Sequence, residues 1–146
     1  GWDYSRWYAT ADTYPQNAVR GPIVMVTNQW AGSDGDIVAA ATQAMGYAKV
    51  IGERSWGGVV GIDGRFDLVD GTSVTQPRYA GWYGSYGWGV ENHGVDPDIV
   101  VTVSPEDWEA DCDVQLDAAI AECLRQLDDK PAATAPELPG PAFDRC

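Results

Sequence analysis

Ser33 lies where a short apolar run ends and a helical pattern begins, a position suited to nucleophilic chemistry. The run Ile23-Val-Met-Val-Thr27 is followed by a polar turn at residues 28–32 and then by a helix predicted over 33–46. A serine at such a junction combines an exposed hydroxyl with free backbone N–H groups and the positive end of a helix dipole. A nucleophile and its oxyanion need these same groups.

The same stretch also supports a purely structural interpretation of Ser33. Asp36 follows three residues later, a pattern that resembles a capping box, and Gly-Ser-Asp-Gly is a weak motif by itself. Gly32 and Gly35 let a substrate backbone approach the serine, although small residues also suit an ordinary tight turn. The local pattern therefore leaves catalysis and helix capping open.

Two further ionisable residues lie in or beside a stretch crowded with glycines and aromatic side chains, residues 79–94. Glu91, taken alone, is typical of a solvated surface charge. His93 is the only histidine, and we expect it to be structural or to line a pocket rather than to act as a base. The sequence has neither a phosphate loop nor a cluster with metal-ligand spacing, so no metal or other cofactor is expected.

The elements that must position Ser33 follow the order strand, helix, strand. A β-branched strand at 23–27, the helix at 33–46 with Gly46 as its C-cap, and a strand at 48–52 have the spacing of a βαβ unit. The chain is therefore predicted to have an α/β fold with a parallel sheet.

Shorter elements are predicted after this unit. Strand candidates at 59–62, 65–69 and 73–76 are separated by the hairpin signals Asp63-Gly64 and Asp70-Gly71. A further strand is expected at 99–103, and a C-terminal helix is expected to start at the N-cap sequence Ser104-Pro-Glu-Asp. The apolar residues of this helix recur at helical spacing and predict one buried face. They are Cys112, Leu116, Ala119, Ile120, Cys123, Leu124 and Leu127.

The 146 residues are enough for one domain with a core and too few for two domains of ordinary size. We predict an irregular leading segment at 1–20, a core domain at 21–128 that carries Ser33, and a flexible tail rich in proline and alanine at 129–146.

Composition excludes several classes of partner. The formal net charge of −13 argues against a nucleic-acid partner, and no apolar run approaches the length needed to cross a bilayer.

The chain has neither an initiator methionine nor a visible signal peptide, so we expect a piece of a longer product. The odd number of cysteines, Cys112, Cys123 and Cys146, fits reduced thiols in a cytoplasmic protein better than a disulfide framework.

Three blocks of the sequence closely resemble the C-terminal catalytic core of the tricorn protease family, S41-type serine peptidases related to the C-terminal processing peptidases. The resemblance reaches to about Leu127 and implies a core like that of Clp protease and crotonase. The blocks are Asn28-Gln-Trp-Ala-Gly-Ser33-Asp-Gly-Asp-Ile, Val50-Ile-Gly-Glu-Arg-Ser-Trp-Gly-Gly-Val-Val-Gly-Ile62 and Gly87-Trp-Gly-Val-Glu91-Asn-His-Gly-Val-Asp-Pro-Asp-Ile99.

The resemblance implies roles for residues that the local pattern leaves open. Ser33 becomes the nucleophile, and the N–H of Asp34 becomes an oxyanion donor flanked by Gly32 and Gly35. Glu91 becomes the acidic member of a catalytic tetrad, which orients its partners and stabilises an imidazolium.

The general base is not expected within this chain. The processing peptidases carry a catalytic lysine where this sequence has Gly58 and Val59, so a Ser-Lys dyad is not expected. The resemblance implies instead a histidine with a neighbouring serine, both upstream of the nucleophile in an earlier part of the same peptidase. We therefore expect the isolated chain to be inactive. The resemblance also implies a cytoplasmic hexamer that hydrolyses oligopeptides.

Two other functional classes compete with the peptidase interpretation. A scaffold or oligomerisation domain would keep the fold without the chemistry. A carbohydrate-binding module would use exposed aromatic side chains to stack on sugars, although such rings more often form core, cleft walls or interfaces. The aromatic residues concerned are Tyr79, Trp82, Tyr83, Tyr86 and Trp88.

Overall fold

The structure is a computed structural model that describes residues 1–5 and 10–137. These residues fall into two compact units, one of which is Ile23–Leu124 and the other of which comprises the described residues outside that range. Cys146 and the end of the predicted tail lie outside the described residues. In chain order the elements are β1 (Trp2–Tyr4), β2 (Ala11–Thr13), β3 (Val24–Thr27), α1 (Asp34–Met45), β4 (Lys49–Gly52), β5 (Gly61–Asp63), β6 (Gln76–Tyr79), β7 (Ile99–Val100), α2 (Pro105–Glu109) and α3 (Val114–Asp129).

The smaller unit differs from the irregular segment predicted at 1–20. Strands β1 and β2 pair antiparallel, with Trp2 opposite Thr13, and strands of three residues are too short to show a period in the sequence. Beyond α3, the described residues 130–137 form neither helix nor strand, but they are hydrogen-bonded. The N–H of Ala133 donates to the carbonyl of Arg20 at 2.9 Å. The proposed division of the chain into three domains stays a prediction.

The larger unit is built on a three-stranded parallel sheet with the order β3-β4-β7. Strand β3, helix α1 and strand β4 form the predicted βαβ unit, in which Val24 lies opposite Lys49 and Thr27 lies opposite Gly52. Gly46 ends α1 with φ 65°, a left-handed conformation that glycine adopts without strain. The structure thus confirms a mixed α/β fold with a parallel sheet.

The core of this unit lies between α1 and the sheet. Ala39 and Ala40 give α1 a flat buried face that packs with Val50 of β4. Val90 and Val95, from the segment before β7, are fully buried in the same cluster. The small alanine side chains let α1 approach the sheet closely, and this fixes the start of the helix relative to the end of β3.

One hairpin replaces the two predicted in the middle of the chain. Strand β5 pairs antiparallel with β6, and a single bridge joins Asp67 and Ser73 across the turn at Asp70-Gly71. The predicted strand at 65–69 is therefore wrong, and Asp63-Gly64 does not form a tight hairpin. Asp63 ends β5 and pairs with Gln76 of β6, so a loop of twelve residues, 64–75, joins the two strands.

The predicted C-terminal helix is divided in two. Ser104 caps α2 through a capping box with Asp107, as its sequence predicts. The chain breaks at Asp111, which has φ 55°, and resumes as α3. Gln115 and Ala119 are the buried residues of α3. The predicted burial of one apolar face is largely wrong, because Leu116, Ile120 and Leu124 are about half exposed or more.

No helix in the described part of the chain has the length and apolar character of a membrane span.

Candidate active site

Ser33 occupies a tight turn between β3 and α1. Asn28 shapes the approach to this turn, because its side-chain oxygen accepts the N–H of Trp30 at 3.0 Å. Ser33 has φ 53° and ψ −112°, and the N–H of Gly35 donates to the carbonyl of Gly32 at 2.9 Å. These are the features of a type II′ turn in which Ser33 takes the first central position, which glycine normally occupies.

The Ser33 hydroxyl does not cap the helix that follows. Its side chain makes no capping hydrogen bond and is exposed, and only its carbonyl joins the helical pattern, by accepting the N–H of Ile37 at 3.0 Å. The capping interpretation is therefore wrong. A non-glycine residue held in a glycine-type conformation between a strand and a helix is the arrangement of a nucleophile elbow, where backbone strain holds the hydroxyl outward.

Asp34 supplies a backbone donor next to the Ser33 hydroxyl. It begins α1, and its N–H forms no hydrogen bond within residues 1–5 and 10–137. The first N–H groups of a helix have no partner inside the helix and carry the positive end of its dipole. This N–H can therefore bind an anionic oxygen that develops beside Ser33.

The glycines that flank Ser33 differ in their surroundings. A Cβ built on Gly32 would lie 2.4 Å from the ring of Trp56, so only glycine leaves room for that ring. A Cβ on Gly35 would lie 3.2 Å from Cβ of Ala31. At Gly32 the structure shows close packing by a neighbouring side chain rather than an opening for a substrate backbone.

Asp36 is a buried carboxylate that the sequence patterns did not single out as a site residue. Its side chain is fully buried and accepts the Ser55 hydroxyl at 2.5 Å, the Gly57 N–H at 2.8 Å and the Gly58 N–H at 3.2 Å. The capping-box pattern predicted no buried partner for this residue, but in the first turn of α1 its side chain points inward. No local pattern in the sequence identifies its partners, which lie 19 to 22 residues later in the chain.

Glu91 is bound by the backbone of the same segment. One of its oxygens, Oε2, accepts the N–H groups of Val59 and Val60, each at 2.7 Å. The other oxygen, Oε1, accepts no hydrogen bond in the described parts of the chain. Glu91 is partly buried, so it is not the solvated charge that its sequence context alone predicts, and it keeps one oxygen for a further partner.

His93 forms a surface pair with Asp96. Its Nε2 lies 2.8 Å from a carboxylate oxygen of Asp96, and both side chains are more than half exposed. The guanidinium of Arg54 donates to the His93 carbonyl. Among the described residues, His93 forms no hydrogen bond or ion pair with Ser33, and its structural or pocket-lining role stays a prediction.

The five aromatic residues of the 79–94 stretch do not form one surface. Tyr83 and Tyr86 pack against the core, whereas Tyr79, Trp82 and Trp88 are exposed. Partial burial, together with the charges of Asp98 and Asp96, raises the pKa of Tyr86 above its ordinary value.

A cavity of about 560 Å³ opens at the carboxyl ends of the parallel strands. Trp30, Glu53 and Trp108 line it, and Trp30 comes three residues before Ser33. Ligands of open α/β sheets bind at this end of the strands. No group of three or more His, Cys, Asp or Glu residues is arranged to hold a metal ion in the part of the chain that the structure describes.

Comparison with known proteins identifies the family of this chain. The profile of peptidase family S41 matches residues 3–101. Tricorn protease homolog 1 of Streptomyces coelicolor is 57% identical over 139 residues, which are 95% of this chain and 13% of that protein. Tricorn protease of Thermoplasma acidophilum is 46% identical over 127 residues, 87% of this chain and 12% of the relative.

The fold is also that of a solved relative. A crystal structure of the tricorn protease superposes with a TM-score of 0.82 at 46% identity, over 88% of this chain and 12% of that one. The chain thus spans about an eighth of the length of the relatives it matches. Since the family profile covers most of its residues, the chain belongs to peptidase family S41.

Proposed function

We propose that this chain is the nucleophile-bearing part of a serine peptidase that cleaves oligopeptides through an acyl-enzyme, with Ser33 as the nucleophile. The observation that carries the proposal is the type II′ conformation of Ser33, which presents an uncapped hydroxyl at the start of α1. Membership of family S41 and the similarity to tricorn proteases support the same chemistry.

The geometry around Ser33 suits acyl transfer. Oγ of Ser33 attacks the scissile carbonyl, and the resulting oxyanion is bound by the N–H of Asp34 at the positive end of α1. Collapse of this intermediate forms an ester with Ser33 and releases the amine, and water then hydrolyses the ester. A second oxyanion donor comes from a part of the peptidase outside this chain.

Glu91 acts through its unused oxygen. Two N–H bonds to Oε2 hold the carboxyl group in place. Oε1 is left to accept a hydrogen bond from the group that positions the base. In this role Glu91 stabilises the positive charge that the base acquires when it removes the Ser33 proton.

The base is supplied by the N-terminal part of the same peptidase. Lys49 begins β4 opposite Val24, at the amino end of the sheet, whereas Ser33 follows the carboxyl end of β3. His93 is paired with Asp96. The isolated chain is therefore inactive, and its partners are the upstream segment and a peptide substrate.

A fluorophosphonate probe tests the proposal directly. The full-length peptidase that contains this chain is expected to be labelled at Ser33 and to hydrolyse a fluorogenic peptide. Ser33→Ala removes both activities, while Ser73→Ala, at the exposed hairpin, removes neither. A scaffold without catalysis would show no labelling in the full-length protein, and peptide hydrolysis that survives Ser33→Ala would overturn the assignment of the nucleophile.

The remaining features of the proposal follow from the similarity to tricorn proteases. The core is of the Clp protease and crotonase type, and the peptidase is a cytoplasmic hexamer without a cofactor. Titration with oligosaccharides tests the carbohydrate-binding alternative, for which saturable binding at Trp82 and Trp88 would be required. The peptidase proposal predicts no such saturation.

A further inference from the structure

Residues 55–60, which we call the clamp loop, join the two carboxylates of the candidate site. The Ser55 hydroxyl and the N–H groups of Gly57 and Gly58 bind Asp36, and the next two N–H groups bind Glu91. Asp36 lies in the first turn of α1, whereas Glu91 follows far later in the chain. The loop is thus the physical connection between the segment that carries Ser33 and the segment that carries Glu91.

The burial of Asp36 makes this connection unusual. The carboxyl group has no exposed surface. Within the described residues it is hydrogen-bonded by a hydroxyl and two backbone N–H groups, and not by a Lys or Arg side chain. Ser55 is also buried, and its hydroxyl oxygen accepts the N–H of Val95 at 2.8 Å. Burying a polar group is unfavourable unless it is hydrogen-bonded, so this carboxyl group depends on the loop as much as the loop depends on it.

The clamp loop also contacts the chain before Ser33. The N–H of Trp56 donates to the carbonyl of Ala31 at 3.0 Å, and the Trp56 ring lies against Gly32. Ser33 is therefore bracketed by contacts to one loop, at Ala31 and Gly32 on one side and at Asp36 on the other. A strained backbone conformation persists only where its surroundings hold it on both sides.

We infer that Asp36 is a positioning residue of the peptidase, which holds the clamp loop against the first turn of α1 and so fixes Ser33 and the Asp34 N–H relative to Glu91. This inference rests on the proposed function. Asp36 contacts no reacting atom. Its loss lets the Ser33 turn relax and moves the oxyanion donor, which lowers the rate of the chemical steps more than it changes substrate binding.

Graded substitutions in the full-length peptidase test this role. Asp36→Asn can keep the oxygen that binds Ser55 and Gly57 and lose only the longest bond, to Gly58, whereas Asp36→Ala loses all three. We expect Asp36→Ala to lower kcat by about 10²-fold, the effect of losing an oxyanion donor, with KM changed by less than about threefold. Asp36→Asn should retain a kcat between that of Asp36→Ala and that of the parent enzyme.

Two further variants keep the test decisive. Ser55→Ala removes one donor to Asp36 without removing the carboxylate, and it should slow fluorophosphonate labelling of Ser33 even if Asp36→Ala fails to fold. Asp63→Ala, which removes a partly buried carboxylate from the hairpin, is the matched control and should leave the labelling rate unchanged.

The outcomes separate this inference from the proposed function. If a folded Asp36→Ala enzyme keeps its kcat and labelling rate, or if Asp36→Asn and Ser55→Ala behave like the control, Asp36 is not a positioning residue. If Ser33→Ala itself leaves hydrolysis intact, the proposed nucleophile is wrong whatever the Asp36 variants do. A loss of kcat in Asp36→Ala that is partly restored in Asp36→Asn, at equal folded fraction, supports the inference.

Discussion

Substitution of Ser33 by glycine is expected to stabilise this chain. The φ of 53° and ψ of −112° at Ser33 bring its Cβ into a crowded position, and such strain costs about 1–3 kcal/mol. Glycine removes the Cβ, although its greater freedom in the unfolded chain offsets about 0.4–1 kcal/mol of the gain. No capping hydrogen bond is lost, because the Ser33 side chain makes none. The free energy of unfolding should therefore rise by about 1 kcal/mol, the middle of these ranges.

Ser33→Ala provides the matched comparison. Alanine keeps the Cβ and the strain, so its stability should equal that of the parent chain within about 0.5 kcal/mol. Urea unfolding followed by tryptophan fluorescence measures both changes as midpoint shifts at constant slope. A capping serine predicts the opposite order, with alanine about 1 kcal/mol less stable and glycine a few tenths less stable than serine. That order, or a destabilised Ser33→Gly variant, would refute the argument from strain.

Three other predictions concern the surrounding scaffold. Gly57→Ala should destabilise the chain by about 2 kcal/mol or more in urea unfolding. The reason is that φ at Gly57 is 84° and the new Cβ would lie 2.4 Å from the backbone nitrogen of Gly94. Gly64→Ala is the control and should change little, because there is open space around Gly64. Tyr86 stays protonated to higher pH in the folded chain than in the unfolded one. The free energy of unfolding should therefore fall as the pH rises from about 10 toward the raised pKa of Tyr86 in the folded chain. Tyr86→Phe should show a smaller fall, and a dependence of stability on pH equal to that of the parent chain would contradict the role of Tyr86. Ser104→Ala should lower the free energy of unfolding by about 1 kcal/mol, measured in urea or by heating, because the capping box is lost. Ser104→Thr keeps the capping hydroxyl and should not. An equal loss of stability in both variants would rule out the cap as the cause.

The sequence predicts those features that depend on neighbours along the chain. The β-branched run before Ser33, the helix that ends at Gly46 and the strand that follows are local patterns, and the parallel pairing of β3 with β4 follows from their spacing. The capping box at Ser104 is equally local. Each of these predictions needed no knowledge of a distant contact.

The features that the sequence mispredicts depend instead on contacts between residues that are far apart in the chain. The direction of the Asp36 side chain depends on Ser55 and Gly57, which come some 20 residues later and approach only when the sheet has formed. The hairpin register, in which Asp63 lies opposite Gln76, depends on pairing between segments 13 residues apart. The burial of α3 depends on what packs beside it, which helical spacing alone does not specify, and Leu116 and Ile120 are accordingly exposed.

The clamp loop also has a fixed length. Because successive N–H groups are divided between Asp36 and Glu91, one inserted residue would shift the register and leave one carboxylate without its donors. The exposed tip at Asp70-Gly71 has no such constraint, since its hydrogen bonds close within the turn. An epitope or a fluorophore can therefore be inserted at the hairpin tip of this protein, whereas the clamp loop will tolerate neither insertion nor deletion.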